Sequence, residues 1–204
     1  MAKQEQLNPK EQNRLQLTQL LQNKEALKQD IAADAEAVFL NLKETIKAEL
    51  QALRAIVSDE RVRLHYKERG DYEIHVYIGS DVLVFSLHHN VFRLPDHNPL
   101  WGTGYFQQNE QRGYFGVIYV YNFLAESLIQ NRLDDSGYLI SRLFVNHEKH
   151  FFIEGRTQLS GIFRDTERHQ WNDEICALVV QMTFAYALSF DLYIPPYEIQ
   201  DEIS

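Results

Sequence analysis

The fold is decided by the stretch from Arg61 to His88, which reads RVRLHYKERGDYEIHVYIGSDVLVFSLH. Apolar and polar side chains alternate on both sides of Gly70, and this two-residue period is typical of half-buried β-strands. Residues 81–88 are apolar on both faces, which indicates a strand in the middle of a sheet. An antiparallel platform of strands is therefore predicted to begin near Arg61.

The first two strands are close enough in sequence to form a hairpin. Setting apolar residues opposite one another pairs Leu64 with Ile74 and leaves a three-residue turn that ends at Gly70. Glycine suits the left-handed backbone position that such a turn needs. Further strands are predicted over residues 114–121, 138–145 and 150–154.

The part before residue 60 has a different composition, with none of the nine glycines of the chain. Asn8 and Pro9 suit the N-cap and first position of a helix, and Glu11 completes a capping box. Steps of three and four then place one apolar stripe on a helix face: Ile31, Ala35, Val38, Leu42, Ile46, Leu50, Leu53 and Val57. One straight helix over residues 9–57 would be about 70 Å long. We therefore expect either a break between residues 23 and 34 or a protruding coiled-coil arm.

A second long helix is predicted from about Glu167 to Phe190. Its segment from Ile175 to Phe190, ICALVVQMTFAYALSF, is apolar nearly all round, so we expect it to be buried, within the domain or against a partner subunit. A membrane span needs about 20 apolar residues. This run is shorter and has acidic residues on both sides, so insertion into a membrane is not expected.

Together these patterns predict an α+β fold. An antiparallel sheet of about six strands packs on one side against the long N-terminal helix and the apolar C-terminal helix. Residues 1–30 are predicted to form an N-terminal helical extension, and residues 31–204 a single α+β domain. The N-terminal residues lack the apolar segment of a signal peptide.

Composition narrows the class of function. The net charge of -9, from 20 Lys and Arg against 29 Asp and Glu, disfavours a surface that binds nucleic acid or anionic lipid. Cys176 is the only cysteine, which excludes an intrachain disulfide and cysteine-rich zinc sites and is typical of a reducing compartment. We therefore expect a cytoplasmic protein that binds neither nucleic acid nor membranes.

The candidate site lies at the long connection over residues 89–112, because loops of this length without regular structure are often functional. On one interpretation the loop covers a small-molecule site, where His88, Asp96 and His97 hold a metal or supply a general base. On the other it is an ordinary covering loop whose apolar residues pack on a sheet edge. The candidate ligand-binding residues are His88, Arg93, Asp96, His97 and Trp101. No metal or cofactor is assigned.

Other polar clusters have plainer interpretations. The run from His147 to His150 spaces two histidines three residues apart in a hairpin turn, whereas the zinc-protease motif needs four on a helix. Cys176 lies in an apolar helix, which disfavours a thiolate. The tyrosines exceed what a core needs, so they either line a pocket or interface or straddle core and solvent: Tyr72, Tyr77, Tyr105, Tyr114, Tyr119, Tyr121 and Tyr138.

The sequence contains no complete catalytic constellation, while its helices carry more apolar surface than one small sheet covers. Our main hypothesis is a non-enzymatic cytoplasmic binding or assembly protein that acts as an oligomer. Self-association would use the N-terminal helices or the apolar C-terminal helix. The alternative is a small-molecule sensor or metal-assisted enzyme with a site under the 89–112 loop.

Overall fold

The computed structural model describes residues 8–132 and 135–189. The predicted α+β fold is confirmed, with two long helices on one face of an antiparallel sheet. The helices are α1 (Pro9–Gln19), α2 (Ala26–Ile56), α3 (Gly104–Gln108), α4 (Ala125–Ile129), α5 (Leu159–Ile162) and α6 (Asp173–Ser189). The strands are β1 (Leu64–Glu68), β2 (Glu73–Ile78), β3 (Asp81–Leu87), β4 (Phe92–Arg93), β5 (Tyr114–Leu124), β6 (Tyr138–Val145) and β7 (Phe151–Gly155). Residues 1–7 of the predicted extension lie outside the described residues, as do residues 133–134 and 190–204 of the predicted domain, including Phe190.

The strands follow the order β1-β2-β3-β5-β6-β7, with the two-residue β4 paired to β5 beside this path. All of these pairs are antiparallel. Neighbours in the sheet are neighbours in the chain apart from the small β4, as expected for a sheet built from sequential hairpins.

The β1–β2 hairpin differs from the predicted register. Leu64 lies opposite Ile78, and Ile74 lies opposite Glu68. Gly70 has the expected left-handed backbone, with φ of 74°, but the turn is longer than predicted and occupies residues 69–72. The partner of each residue shifts by four positions, an even number, so every side chain stays on its predicted face.

The N-terminal helix is continuous. A π-helical stretch (Leu20–Glu25) joins α1 to α2, and the residues on either side of it keep helical backbone angles. The predicted capping box is present, because the Asn8 side chain accepts from the Glu11 amide at 2.9 Å and the Glu11 carboxylate accepts from the Asn8 amide at 3.0 Å. Every residue from Pro9 to Ala26 is exposed, and Ile31 is the first buried one. The structure therefore has a protruding helical segment rather than a break, and we call residues 9–30 the arm.

α2 and α6 lie side by side on one face of the sheet and enclose the main core. The predicted stripe is buried from Ile31 to Leu50, whereas Leu53 is half-buried and Val57 is exposed. Side-chain hydrogen bonds also join the two helices and their flanks. Among them, Trp171 Nε1 donates to the Asn41 side-chain oxygen at 2.9 Å, and the Cys176 thiol donates to the Thr45 hydroxyl at 3.2 Å. Burial raises the pKa of that thiol to about 11, which agrees with the expectation of an inert cysteine.

α6 begins later than predicted, because the chain around Glu167 forms a 3-10 turn and Asn172 then accepts from the Ile175 amide at 2.9 Å. Its inner face is buried, whereas Leu178 and Leu188 are 41% and 60% exposed. The predicted burial within the domain is therefore confirmed for one face of the helix, and burial of the rest against a partner subunit stays a prediction.

The expectation of an irregular loop over residues 89–112 is wrong. The segment contains β4, a 3-10 turn (Pro99–Gly102), α3 and a second 3-10 turn (Glu110–Gly113). It covers one end of the sheet face opposite α2 and α6, and encloses a second, smaller core of Leu94, Tyr105, Phe106, Phe115 and Phe152. Three buried residues of the segment, Leu94, Tyr105 and Phe106, thus belong to a packed substructure, which is why the segment is ordered.

Candidate functional site

Three of the five predicted site residues come together in one corner of the covering segment. Arg93 forms an ion pair with Asp96, and its guanidinium lies 4.9 Å from the centroid of the Trp101 ring. The Trp101 Nε1 atom donates to the Pro95 carbonyl at 2.9 Å. The hydrogen bond from Arg93 holds the pKa of the Asp96 carboxyl below its usual value. These groups satisfy one another and stabilise the local conformation of the segment.

His88 lies apart from this corner. Its ring contacts Phe92 and Tyr119, with centroid distances of 4.9 and 5.8 Å, and its Nδ1 atom accepts from the Asn90 amide at 3.0 Å. His97 is exposed next to the Arg93 ion pair. In the part of the chain that the structure describes, no three His, Cys, Asp or Glu side chains are grouped so that they could hold a metal ion. The five predicted residues therefore do not form one site.

The space beneath Trp101 is filled by protein. A Cβ atom added to Gly113 would lie 2.8 Å from the Trp101 Cζ2 atom, so the indole rests directly on the backbone there. Phe106 packs against the same indole, with ring centroids 5.9 Å apart. This contact explains the glycine, because any side chain at position 113 would displace the indole.

A polar network fastens the covering segment to the β6–β7 turn. Glu148 of the turn accepts from Arg112 Nε and from the Tyr105 hydroxyl, both at 2.9 Å. Asn146 donates to the same hydroxyl at 2.9 Å, and the Arg112 guanidinium lies 4.2 Å from the Tyr105 ring centroid. Burial raises the pKa of Tyr105 to about 12, so the hydroxyl stays a donor at neutral pH. The His147–His150 run therefore has a structural role, because its Glu148 holds the covering segment against the β6–β7 turn.

Replacing Glu148 by glutamine should destabilise the fold at neutral pH and have little effect in acid. Burial raises the pKa of Glu148, but hydrogen bonds from Arg112 and Tyr105 outweigh it and hold the pKa below its ordinary 4.5. A carboxyl with a lowered folded pKa stabilises above its unfolded pKa, and this contribution is lost as the pH falls through the folded value. We expect a loss of about 1–2 kcal/mol at pH 7.

Urea unfolding of wild type and Glu148→Gln at pH 7 and pH 3 measures this difference. The exposed Glu154→Gln change on β7 is the control and should cost under about 0.5 kcal/mol. A Glu148→Gln penalty that is equal at both pH values would contradict the assigned charge interaction.

The second feature of the sheet face opposite α2 and α6 is an open cleft. Residues directly opposite one another on antiparallel strands share a face. The register therefore places one row across this face, comprising Glu73, Ser86, Tyr119, Arg142 and Glu154. The covering segment lies on one side of this row. On the other side α4 covers Tyr77, Val82 and Phe123.

The space between these two covered ends is what we call the sheet-face cleft. Its volume is about 740 Å³, within the range of ligand sites in proteins. Its lining includes Glu73, Ser86, His88, Tyr119, Tyr121 and Arg142. Protein atoms fill both ends of the sheet face but leave this middle part accessible.

The cleft has an aromatic floor, with Arg142 at one end and Arg69, Asp71 and Glu73 at the other. The Tyr119 and Tyr121 rings lie 5.9 Å apart and are nearly parallel, at 23°. On β6 the Arg142 guanidinium lies 5.9 Å from the Tyr119 ring centroid and 3.8 Å from the Glu154 carboxylate. On β2 the Glu73 carboxylate lies 2.6 Å from His75 Nε2. Such a floor binds a flat ring, and the charged ends can orient it.

Sequence reasoning found this cleft only in part. His88 was a candidate, and Tyr119 and Tyr121 were noted as residues that could line a pocket. Ser86 and Arg142 carry no local signal, because they come from distant strands and meet only through the register. Their alternation with apolar neighbours would have assigned them to the outer sheet face, but not to a common row.

Comparison with known proteins gives no match for the chain among protein-family models, curated proteins or solved structures. Within residues 8–132 and 135–189, no helix has the length and apolar character that crossing a membrane requires. The proposals below therefore depend on the geometry alone.

Proposed function

We propose that the protein is a non-enzymatic, cytoplasmic binding or assembly protein that acts as an oligomer joined through the arm. The observation that carries this proposal is the exposure of three leucines on one face of the arm, Leu17, Leu20 and Leu21, each between 56% and 63%. Contiguous exposed apolar surface on a helix is typical of an interaction site.

A second copy of the arm is the partner that fits best. A helix without tertiary contacts gains little stability in water, and pairing two arms would bury the leucines of both. Charge allows this pairing. Residues 9–30 hold mixed charges, Lys10, Glu11, Arg14, Lys24, Glu25, Lys28 and Asp30, although the chain has a net charge of -9. Two arms can therefore approach without the repulsion between the acidic bodies. The same net charge supports the absence of nucleic acid and membranes among the partners.

Light scattering after size-exclusion chromatography tests the oligomer. The full chain should elute with at least twice the mass of 24.0 kDa. Replacing Leu17, Leu20 and Leu21 together by glutamine, which keeps helix propensity, should give a monomer and at least a tenfold weaker association.

Ile129→Gln and Ile162→Gln are matched controls, because these residues are 50% and 48% exposed but lie in α4 and α5, away from the arm. They should leave the mass unchanged. A wild-type chain that is monomeric at all concentrations, with deletion of residues 1–30 changing nothing, would eliminate the proposal.

The second candidate function is a small-molecule sensor, and the sheet-face cleft favours it. The site would then lie beside the 89–112 segment, in contact with His88, rather than under Trp101. An enzymatic role has weaker support, since the potential metal ligands His88 and Asp96 have separate partners.

A further inference from the structure

We propose that the sheet-face cleft binds a small aromatic anion, in which a carboxylate, sulfonate or phosphate is attached to a planar ring or lies one or two bonds from it. This inference rests on the second candidate function and is independent of the arm. It is drawn from the row of side chains that the register places across the open sheet face.

The ring would stack on the tyrosine floor. Tyr119 and Tyr121 are both half-buried, and their nearly parallel rings, with centroids 5.9 Å apart, expose aromatic surface in the cleft between the two covered ends of the face. His88 stands against Tyr119 with its ring at 63°, so it forms a side wall rather than part of the floor. Offset stacking on such a surface favours planar ligands over aliphatic ones.

The anionic group would bind Arg142. This side chain is 42% exposed, and its guanidinium is 3.8 Å from Glu154, too long for a hydrogen bond. It therefore keeps donors for a ligand, and a guanidinium binds carboxylate, sulfonate or phosphate oxygens through paired N–H groups.

The geometry also limits the size of the ligand. Tyr119 lies directly opposite Arg142 on the neighbouring strand, and adjacent strands are about 4.8 Å apart. The ring and the anionic group must therefore be close together. On the other side, two strands from Tyr119, the cleft is lined by Glu73 together with Arg69 and Asp71, whose charges largely offset one another. Arg142, directly opposite Tyr119, is therefore the cation that the anionic group beside the ring would meet.

Two dyes with the same aromatic skeleton test this inference on the full chain. 8-Anilinonaphthalene-1-sulfonate carries the anion, and N-phenyl-1-naphthylamine lacks it. Both should bind saturably, at one site per chain, when fluorescence is titrated. Arg142→Gln should weaken binding of the sulfonate dye by about three- to tenfold and leave the affinity for the neutral dye unchanged. The effect is modest because the lost interaction is that of a partly exposed charge.

Tyr119→Leu should weaken the binding of both dyes by about tenfold, because it removes an aromatic ring on which they stack. Tyr121→Leu is the second variant, should Tyr119→Leu fail to fold, and circular dichroism checks each. Arg164→Gln is the matched control, since Arg164 is exposed and lies outside the cleft, and it should change neither affinity.

These measurements distinguish a failure of the sensor function from a failure of the proposed preference for an anion. If neither dye binds saturably, or if Tyr119→Leu and Tyr121→Leu both fold and leave both affinities unchanged, the cleft is not a ligand site and the sensor function is eliminated with it. If both dyes depend on the tyrosines but Arg142→Gln affects neither, the cleft remains a site and the preference for an anion is overturned.

Discussion

Gly116→Ala should destabilise the protein by about 2–3 kcal/mol, although it adds a single methyl group. Gly116 lies in the middle of the sheet on β5, directly under α2. A Cβ atom at this position would approach the Ala35 Cβ atom far more closely than the van der Waals distance of about 3.5–4.0 Å. Ala35 is only 2% exposed and belongs to the main core. The added methyl group therefore has to push α2 away from the sheet.

The compensating change is Ala35→Gly. Without the Ala35 Cβ atom, the nearest atoms to the new methyl group are the Ala35 Cα atom and the Ile31 carbonyl oxygen, both at 3.7 Å, an ordinary contact. The double variant should therefore recover most of the lost stability and retain only the cost of a helical glycine, about 1 kcal/mol. Urea unfolding of the two single variants and the double variant gives the coupling energy. Additive effects would show that α2 does not cross the sheet at this point.

Phe106→Ala should cost about 3–4 kcal/mol, the second large effect. Phe106 is 1% exposed in α3, and its ring centroid lies 5.1 Å from Tyr105 and 6.4 Å from Phe115. Removing it would leave a cavity under the covering segment, because the surrounding rings belong to two different elements and cannot close together. If the segment were an irregular surface loop, Phe106→Ala would leave the free energy of unfolding almost unchanged.

Phe92→Ala is the matched control, because Phe92 belongs to the same segment but is 38% exposed. It should cost less than about 1 kcal/mol. Equilibrium unfolding distinguishes the two variants, and a similar small penalty for both would mean that the segment is not packed onto the sheet. The sheet-face cleft would then have no wall on that side.

Much of the architecture follows from local patterns. The capping box at Asn8, the stripe from Ile31 to Leu50 and the alternation after Arg61 each depend on neighbours only a few residues away, and all three appear in the structure. Local patterns were less informative for segments whose conformation is determined by tertiary contacts. The residues of the 89–112 segment read as a loop because its α3 helix is only five residues long and is stabilised by the second core, not by a periodic apolar face.

The candidate site was less accessible to prediction than the fold. Asp96 and His97 suggested metal ligands by their residue types, yet Asp96 pairs with Arg93, three residues away, and His97 stays exposed. Arg142 was not singled out, although it lies beside Tyr119. Residue type indicates what a side chain can bind, but its neighbours across the sheet determine what it does bind.

By itself, the sequence determined the long N-terminal helix and the main strands and which of their faces are apolar, since both depend on backbone propensity and periodicity within one element. Only the tertiary structure decided the register that places Ser86, Tyr119 and Arg142 in one row, and the exposure of the arm leucines. The reason is that strand partners and burial depend on contacts between residues distant in the chain. A local pattern is equally compatible with several such arrangements.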